Sequence, residues 1–365
     1  MIRLTKAAQE RRWLPIRIKE LAERLQISTR TIRFYEEKGL LKPDKHSGNQ
    51  YRIFSENELW RLQTILSLRE VGLSLHEIKQ ALAHIEEGNE GELRHYLELQ
   101  RNAMFTGWLE LKQLIETTDR MIELLDEQKT LAPEDVFPLA ESSKRLREIR
   151  SRKESAWNFD QQASSYDDRV RNGEMASGAR VRYDQLLDHI ARQLAPKAGE
   201  RGLDIGTGTG NLAGKLLAPG VRMSAIDSSR EMLKQCRIKF PSLETRLGNF
   251  LAIPYLDAHF DFAATSFAFH YLSPEQRPVA VSEMLRVLKP GGRLCISDFM
   301  FVDETQKRQF LTDRHQYDEF SRVPLSEIED YAMLASLREE LEAAGCDVSC
   351  EAYSSLLHIV YARKP

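Results

Sequence analysis

The stretch "RGLDIGTGTGN", from Arg201 to Asn211, decides the fold of the C-terminal half of the chain. Its apolar start predicts a β-strand, its three alternating glycines predict a tight loop, and the segment "NLAGKLLA" that follows predicts a helix. A glycine loop between a strand and a helix lets a ligand approach the backbone closely, because glycine has no side chain in the way. The stretch therefore predicts a ligand site at the end of a strand.

Predicted strands and helices alternate from this point onward. The strands are "VRMSAID" (221–227), "FDFAATSF" (260–267) and "GGRLCISDF" (291–299), and the helices between them are "REMLKQCRIKF" (230–240) and "PVAVSEMLRVL" (278–288). A further helix (328–345) and two late strands (346–353 and 355–363) complete the chain. This order predicts an α/β Rossmann-like fold, a doubly wound sheet with right-handed crossovers that binds ligands at the carboxyl ends of its strands.

The spacing of the glycines narrows the choice of ligand. Dinucleotide-binding loops have the pattern G-x-G-x-x-G, whereas this loop has G-x-G-x-G with Asp204 just before it. A carboxylate so near the loop repels a pyrophosphate but suits an ammonium group. S-adenosylmethionine offers that ammonium, together with a carboxylate for the loop amides. Asp227, which ends the next strand, can accept two hydrogen bonds from a ribose diol, and Asn249 can pair with an adenine edge.

Residues 156 to 363 resemble the class I S-adenosylmethionine-dependent methyltransferases. The matching pieces are "FDQQASSYD", "LDIGTGTG", "AIDSS", "LGNFLAIPYLDAHFDFAATSFAFHYL" and "EMLRVLKPGGRLCISDF". The resemblance implies that the glycine loop holds the methionine part and that Tyr166 closes over it. The cofactor-binding residues that it implies are Tyr166, Asp204, Gly206, Thr207, Gly208, Gly210, Asp227, Ser228, Asn249 and Phe250. The family commonly has Asp where this chain has Asn249, and since Asn both donates and accepts, we expect adenine recognition to survive.

The sequence indicates the catalytic residues less clearly than the cofactor-binding residues. Methyl transfer gains most of its acceleration from alignment and desolvation, and a hydroxyl acceptor also needs a base. His270, in "FAFHYL", is the candidate catalytic base and Asp298 is the second candidate, although His270 can equally pack against the cofactor. No N-P-P-Y-like motif of amino methylation on DNA or protein is present, so we expect a small-molecule methyl acceptor, covered by a lid over residues 299–330.

The N-terminal segment is basic and rich in capped helices. Residues 1 to 54 contain 13 Lys and Arg against 6 Asp and Glu, which suits a phosphate backbone, although a solvated helix surface would carry the same charge. The predicted helices are "IRIKELAERLQIS", "STRTIRFYEEKGLL", "SENELWRLQTILSLREVG" and "SLHEIKQALAHI", and the turn-rich "KPDKHSGNQYRIF" predicts a β-wing. A helix-turn-helix with a wing places its second helix in the major groove of DNA.

Side chains on the second helix and the wing suit contacts with DNA. The candidate DNA-binding residues are Thr29, Arg30, Arg33 and Tyr35 on the helix, and Tyr51 and Arg52 on the wing. Arginine on the helix can pair with guanine, whereas the wing residues suit phosphates. A helical bundle with surface arginines is the alternative interpretation.

Residues 16 to 86 resemble the DNA-binding domain of MerR-family transcription regulators, most specifically in "TIRFYEEKGLL" and "YRIF". The resemblance implies a dimeric protein that bends and untwists double-stranded promoter DNA, so that part of its specificity comes from DNA deformability. One departure lies at the tip of the wing, where Asn49 and Gln50 separate Gly48 from Tyr51. In the family a glycine usually precedes the tyrosine directly.

A heptad pattern follows the winged domain. Leu97, Met104, Leu111, Thr118 and Leu125 recur every seven residues, and Trp108, Ile115 and Ile122 fall four after the middle three. This pattern predicts a coiled coil, and the resemblance implies a homodimer through the helix at 91–130; a core helix packed within one chain is the alternative. We therefore expect a winged helix-turn-helix at 1–90, a dimerisation helix at 91–130, a linker at 131–154 and a methyltransferase domain at 155–365.

Composition excludes several other classes of protein. No apolar run approaches the length needed to cross a bilayer and the first residues lack the apolar core of a secretory signal, so we expect a cytoplasmic protein without membrane contact. All four cysteines lie in the second half, from Cys236 onward, without ligand spacing. We therefore expect no metal, and no thiolate metal sensing by the N-terminal region.

Three hypotheses of function fit these patterns. The first is a transcription regulator whose methyltransferase domain still methylates a small molecule. The second is a non-catalytic regulator in which S-adenosylmethionine or its demethylated product sets the DNA-bound conformation. The third is mainly an enzyme whose N-terminal domain only dimerises it. Binding to promoter DNA separates the third hypothesis from the other two.

Overall fold

The computed structural model describes residues 16–45, 52–70, 73–86, 90–128, 133–151, 159–172, 183–313, 320 and 323–365. The chain forms two compact units, Met1–Gln100 and Arg101–Pro365. The boundary after Gln100 falls inside the segment that we predict as a separate dimerisation helix. None of the described helices is long and apolar enough to cross a membrane.

The first unit is a helical domain with a small antiparallel sheet. Its helices are α1 (Ile18–Arg24), α2 (Thr29–Glu37), α3 (Glu56–Glu70) and α4 (Leu75–Glu86), and its strands are β1 (Ile16–Arg17), β2 (Asp44–Lys45) and β3 (Arg52–Phe54) in the order β1-β3-β2. The pairing of β2 with β3 confirms the predicted wing, whose tip at 46–51 lies outside the described residues.

Local capping explains where the helices of this unit begin and end. Ser28 caps α2, because its Oγ accepts a hydrogen bond from the backbone N of Thr31 at 3.0 Å. Ser74 and Glu77 cap α4 reciprocally, the backbone N of each bonding the side chain of the other at 2.6 and 3.3 Å. Gly39, with φ +70°, ends α2 in the left-handed conformation that favours glycine. Helix α2 therefore lies within the stretch "STRTIRFYEEKGLL" that the sequence predicts as helical.

Two long helices follow the winged domain. They are α5 (Glu90–Gln128) and α6 (Pro133–Ser151), so most of the predicted linker at 131–154 is helical. Ile149 is buried in the core of the second unit, and Thr117 and Ser143 join α5 to α6 by a hydrogen bond of 2.7 Å between their hydroxyls. One face of α6 thus contributes to the packed core, while most of its described side chains are exposed.

The second unit is built on one large mixed sheet. Its strands are β4 (Arg201–Ile205), β5 (Arg222–Asp227), β6 (Glu244–Leu247), β7 (Phe260–Ser266), β8 (Leu288–Phe301), β9 (Ala332–Met333), β10 (Asp347–Ala352) and β11 (Leu357–Arg363). The order is β10-β11-β8-β7-β4-β5-β6, with β9 beside β8. Its helices are α7 (Phe159–Gln162), α8 (Tyr166–Arg171), α9 (Tyr183–Leu194), α10 (Asn211–Leu216), α11 (Arg230–Lys239), α12 (Gln276–Val287), α13 (Glu304–Thr312), α14 (Leu325–Glu329) and α15 (Leu334–Ala343).

The topology of the sheet fixes where a ligand can bind. Strands β4 to β8 pair in parallel, and the order changes direction at β4, whose neighbours are β5 and β7. Such a switch point opens a crevice at the carboxyl ends of the strands. The two last strands form an antiparallel hairpin that pairs antiparallel with β8. The predicted Rossmann-like fold is confirmed, with this hairpin making the sheet mixed.

Candidate functional site

A cavity opens at the carboxyl ends of β4, β5 and β7. Eight of the ten predicted cofactor-binding residues line it, namely Tyr166, Gly206, Thr207, Gly208, Asp227, Ser228, Asn249 and Phe250. The other two, Asp204 and Gly210, are not among the described residues of its wall. Gly210 instead begins α10 in the left-handed conformation, where an added Cβ would lie 2.6 Å from Cys236 Sγ.

Two glycines of the loop have different surroundings: Gly206 is packed against the protein, and Gly208 is open to the cavity. Gly206 has φ +70°, and a Cβ there would lie 2.6 Å from the Cβ of Ala268, so this residue lets the loop pack against the chain that follows β7. Gly208 has φ +54°, and a Cβ there would meet nothing within 4 Å. Since Gly208 also lines the cavity, its open side is a cradle that a ligand can enter and that a side chain would fill.

Asp204 holds the glycine loop with one carboxylate oxygen, while the other oxygen has no hydrogen-bond partner among the described residues. Its Oδ2 accepts hydrogen bonds from Thr207 Oγ1 at 2.7 Å and from the backbone N of Ala213 at 3.0 Å. Its Oδ1 is buried and accepts no hydrogen bond from the described residues. Burial raises the pKa of this carboxyl to about 7. An ammonium group would suit this oxygen, but Asp204 is not among the described residues that line the cavity, so its observed role is to hold the glycine loop.

Asp227 lies at the end of β5, on the wall of the cavity. Its Oδ2 accepts a hydrogen bond from the backbone N of Gly208 and its Oδ1 accepts one from Ser229, both at 2.8 Å. Each oxygen keeps a second lone pair, so the carboxylate can still accept two bonds from a ribose diol. Burial raises the pKa of Asp227 to about 6.

Asn249 follows β6 and has a fixed orientation. Its Oδ1 accepts hydrogen bonds from the backbone N of Leu251 and of Ala252, both at 3.0 Å. Because the oxygen holds the loop, the amide nitrogen is the group that can face an adenine ring, as a donor to a ring nitrogen. Phe250 beside it is buried and lines the cavity, with its ring 6.3 Å from that of Phe269.

Helices α7 and α8 are fastened over the cavity by two acidic residues. Asp160 accepts a hydrogen bond from Ser229 Oγ at 2.5 Å. Asp167 accepts one from Thr209 Oγ1 and pairs with Lys239 Nζ, both at 2.6 Å, and these partners hold its pKa below the ordinary value although burial alone would raise it. Burial and the nearby charge of Asp227 raise the pKa of Tyr166 to about 12, so its hydroxyl is protonated where it lines the cavity.

His270 and Asp298 form a buried pair. The His270 Nδ1 lies 2.6 Å from Asp298 Oδ1, and Asp298 Oδ2 accepts the backbone N–H groups of Phe269 and His270. Because Asp298 engages Nδ1, Nε2 is the ring nitrogen that can take a proton from a substrate. His270 is not among the described residues that line the cavity, although Ala268 and Tyr271 are. Its ring lies 5.8 Å from Tyr331 and 6.1 Å from Phe299.

Several aromatic residues of the cavity are not among the cofactor-binding residues that we predict. They are Phe159, Tyr183, Phe267 and Tyr271. The rings of Tyr183 and Phe267 stack at 5.5 Å, and that of Phe159 meets Tyr271 edge-on at 5.0 Å. Phe159 opens the piece "FDQQASSYD", and Phe267 and Tyr271 lie in the piece "LGNFLAIPYLDAHFDFAATSFAFHYL", whereas Tyr183 lies in none of the quoted pieces.

The second helix of the winged domain presents its basic residues to solvent. Arg30 and Arg33 are exposed and Thr29 is half-buried, as a DNA-reading face requires. Tyr35 differs from the prediction: it is 6% exposed and packs in the core of this unit, so its ring cannot reach a groove without unpacking the domain. Phe34, which we did not predict, is exposed beside Arg33.

The wing is tied to the same helix through Arg52. The Nε of Arg52 lies 2.6 Å from Glu36 Oε2, so this guanidinium already has a partner within the chain. A contact of Arg52 with phosphate therefore has to share the guanidinium with Glu36. Tyr51 lies outside the described residues.

Cofactor affinity should fall below neutral pH. Burial raises the pKa of Asp204 to about 7 and that of Asp227 to about 6, from an ordinary value of 3.8. An ammonium group and ribose hydroxyls bind the carboxylate forms, so protonation competes with the ligand. We expect the Kd of S-adenosylhomocysteine, measured by calorimetry, to rise between pH 7.5 and 5.5 by up to about tenfold per pH unit for each group that protonates. A constant Kd over this range would contradict the assignment.

The same two groups act on stability in the opposite direction. Because their folded pKa values are raised, burying them costs stability above about pH 7, and this cost is relieved as the pH falls toward the ordinary value. The ligand-free protein should therefore not share the acid weakening of cofactor binding, which separates loss of binding from loss of fold.

Comparisons with known proteins agree with both units. A family model described as "MerR HTH family regulatory protein" matches residues 16–85, and one described as "Methyltransferase domain" matches residues 203–292. A methyltransferase of Staphylococcus carnosus, itself uncharacterised, is 32% identical over 192 residues, which cover 52% of this chain and 89% of the relative. Another from Alkaliphilus oremlandii is 34% identical over 154 residues, 42% of this chain and 71% of the relative.

Among solved structures, a SAM-dependent methyltransferase from Aquifex aeolicus is similar at 23% identity and a TM-score of 0.39, covering 49% of this chain and 89% of that one. The matched residues include the glycine loop and Asp227 in one unit, and helix α2 with its basic face in the other. The chain belongs to the class I methyltransferases and carries a MerR-type helix-turn-helix domain at its N-terminus.

Proposed function

We propose that this protein is a DNA-binding transcription regulator whose methyltransferase domain binds S-adenosylmethionine and methylates a small molecule. The observation that carries the cofactor is the open cradle at Gly208, next to Asp227 on the same cavity wall, whose Oδ2 accepts the backbone N–H of Gly208. The observation that carries DNA binding is the exposed pair Arg30 and Arg33 on α2.

The residues of the cavity suggest how transfer would proceed. When bound, S-adenosylmethionine would supply an electrophilic methyl group on a sulfonium. Asp227 orients the ribose, and Tyr166 with the α7–α8 segment excludes water from the reacting centre. If the acceptor is a hydroxyl, His270 takes its proton at Nε2 while Asp298 holds the imidazole by Nδ1.

A specific observation favours the non-catalytic sensor as the second candidate. His270, the best candidate base, is not among the described residues that line the cofactor cavity. A sensor needs only the cofactor contacts, and these do not depend on His270. The third candidate, an enzyme that its N-terminal domain merely dimerises, does not require the exposed arginines of α2.

Transfer of a labelled methyl group separates these candidates. The full-length protein would be incubated with S-adenosylmethionine labelled in its methyl group and with extract of the source organism, fractionated into small molecules, protein and nucleic acid. We expect label in the small-molecule fraction with the wild type and none with Asp227→Ala. Label that binds the protein without transfer to any fraction would contradict the catalytic proposal and support the sensor.

We also propose that the protein is a homodimer through the helix at 91–130. The heptad side chains of α5 are exposed in the single chain, with Leu111 at 62%, Ile115 at 61% and Ile122 at 52%. A second copy of the helix would cover this stripe. Trp108 is the exception within the predicted heptad pattern, because the guanidinium of Arg286 lies 5.3 Å from the centre of its ring.

Charges on this stripe should abolish the dimer. We expect Leu111→Lys/Ile115→Lys to raise the dimer dissociation constant at least about a hundredfold, since burial of each side chain contributes about 1.5 kcal/mol or more. Light scattering coupled to size exclusion measures the mass directly. The matched control Asp126→Lys/Glu127→Lys adds two lysines to the same helix outside the stripe, and should leave the mass unchanged. A double-lysine stripe variant that keeps the dimeric mass would rule out this helix as the contact.

A further inference from the structure

The loop at 249–257 has one side on the cofactor cavity. Asn249 and Phe250 line the cavity at its start, and the loop then runs through Ile253 and Tyr255, both buried. Because we assign these first two residues to the adenine ring, the segment is called the adenine loop, and the inference below rests on the proposed cofactor.

Helix α12 holds the other side of the adenine loop. Arg286 donates hydrogen bonds to the carbonyls of Ile253 at 2.9 Å and Tyr255 at 2.8 Å, and lies 2.9 Å from the carboxylate of Asp257. Glu283 accepts the backbone N–H of Ile253 at 3.0 Å and pairs with Arg286 at 2.7 Å. The Glu283 and Arg286 side chains are only 3% and 9% exposed. A buried pair whose bonds all go to one loop restricts the conformations of that loop.

Helices α5 and α6 contact the same side. The ring of Trp108 on α5 lies under the guanidinium of Arg286, and Lys112 Nζ, one turn further on, lies 2.5 Å from Asp257 Oδ2. On α6, Arg150 Nε donates to the carbonyl of Leu251 at 3.2 Å. Each helix therefore bonds the backbone or a side chain of the segment that carries the predicted adenine contacts.

We propose that α5 and α6 hold the adenine loop in its binding conformation, so that cofactor occupancy and the state of helix α5 are coupled. Trp108, Lys112 and Arg150 are then positioning residues, which act on the cofactor through Asn249 and Phe250. Coupling is reciprocal: a ligand that favours one loop conformation favours the helix contacts that go with it, and loss of those contacts weakens the ligand. The same helix α5 carries the exposed stripe at Leu111, Ile115 and Ile122. Cofactor binding is therefore coupled to the helix that we propose as the dimer contact.

Binding and hydrogen exchange on the full-length protein test this proposal together, with S-adenosylhomocysteine as the probe. In the wild type we expect saturating probe to slow amide exchange in the adenine loop and also in α5 beyond residue 101 and in α6. We expect Trp108→Ala/Lys112→Ala to weaken probe binding about tenfold, which is at the low end of typical coupling between two sites. In this variant the loop should still be protected by the probe, while the extra protection of the helices is lost.

Two further variants guard against a general loss of structure. Lys112→Ala removes one surface contact with little risk to the fold, and should weaken binding about threefold. Lys144→Ala on α6, whose side chain is 70% exposed, is the control and should change neither readout. If the probe slows exchange in the loop of the wild type but leaves α5 and α6 unchanged, the coupling is overturned and the proposed function stands. If the wild type binds no probe, both are overturned.

Discussion

Asp227→Ala should lower the affinity for S-adenosylmethionine at least about a hundredfold, because two hydrogen bonds to a charged acceptor contribute about 1.5–3 kcal/mol each. The carboxylate lies on the wall of the cavity, and both its oxygens are already oriented by the backbone N–H groups of Gly208 and Ser229. A ligand diol therefore meets a preorganised acceptor. Calorimetry or equilibrium dialysis with the labelled cofactor measures the change.

The control for this prediction has to exclude collapse of the loop. Asp184→Ala removes a carboxylate that is 83% exposed on α9 of the same unit, and should leave the affinity unchanged. Thermal unfolding of Asp227→Ala without ligand shows whether the loop survives the loss of two backbone contacts. A folded Asp227→Ala protein that binds the cofactor as tightly as the wild type would exclude this residue from the site.

Arg30→Ala/Arg33→Ala should abolish sequence-specific DNA binding. Both side chains are exposed and lie three residues apart, on one face of α2. An arginine that pairs with a base contributes about 1–3 kcal/mol to binding. The double variant should therefore bind a DNA fragment that the wild type recognises with an affinity at least about a hundredfold lower. Fluorescence anisotropy at fixed salt measures this loss.

A matched variant separates the effect of lost positive charge from the loss of base contacts by α2. Arg338→Ala/Lys144→Ala also removes two positive charges, from exposed positions in the second unit, and should bind the same fragment like the wild type. If the two double variants lose affinity equally, the binding is a general attraction to phosphates rather than reading by α2.

Short-range signals explain what the sequence predicts well. The glycine loop, Asp204 in β4, Asp227 at the end of β5, and the caps of α2 and α4 are all determined by residues within a few positions of one another in the sequence. Ser28 and Ser74 cap these two helices through hydrogen bonds to residues only three positions away. Such features can be predicted because neighbouring residues stabilise them, without any contribution from residues distant in the sequence.

Features that depend on packing between distant parts of the chain could not be predicted from such short-range signals. Tyr35 lies in α2 three residues after Ile32, and both are buried, so the helix turns Tyr35 away from the face that carries Arg30 and Arg33. Pro133 begins α6, where a missing N–H costs nothing, and Ile149 near the other end of this helix packs in the core of the second unit. Tyr183 reaches the cavity from a helix with no motif of its own.

We propose that one chain joins a DNA-reading helix to a cofactor site. The most direct test of this claim is the selection of genomic fragments of the source organism by the full-length protein, at fixed salt, with and without saturating S-adenosylmethionine. We expect the retained fragments to share one palindromic sequence, as a dimer requires, and their retention to change several-fold with the cofactor. Fragments retained without any common sequence, and equally in both conditions, would contradict the claim and leave only the methyltransferase.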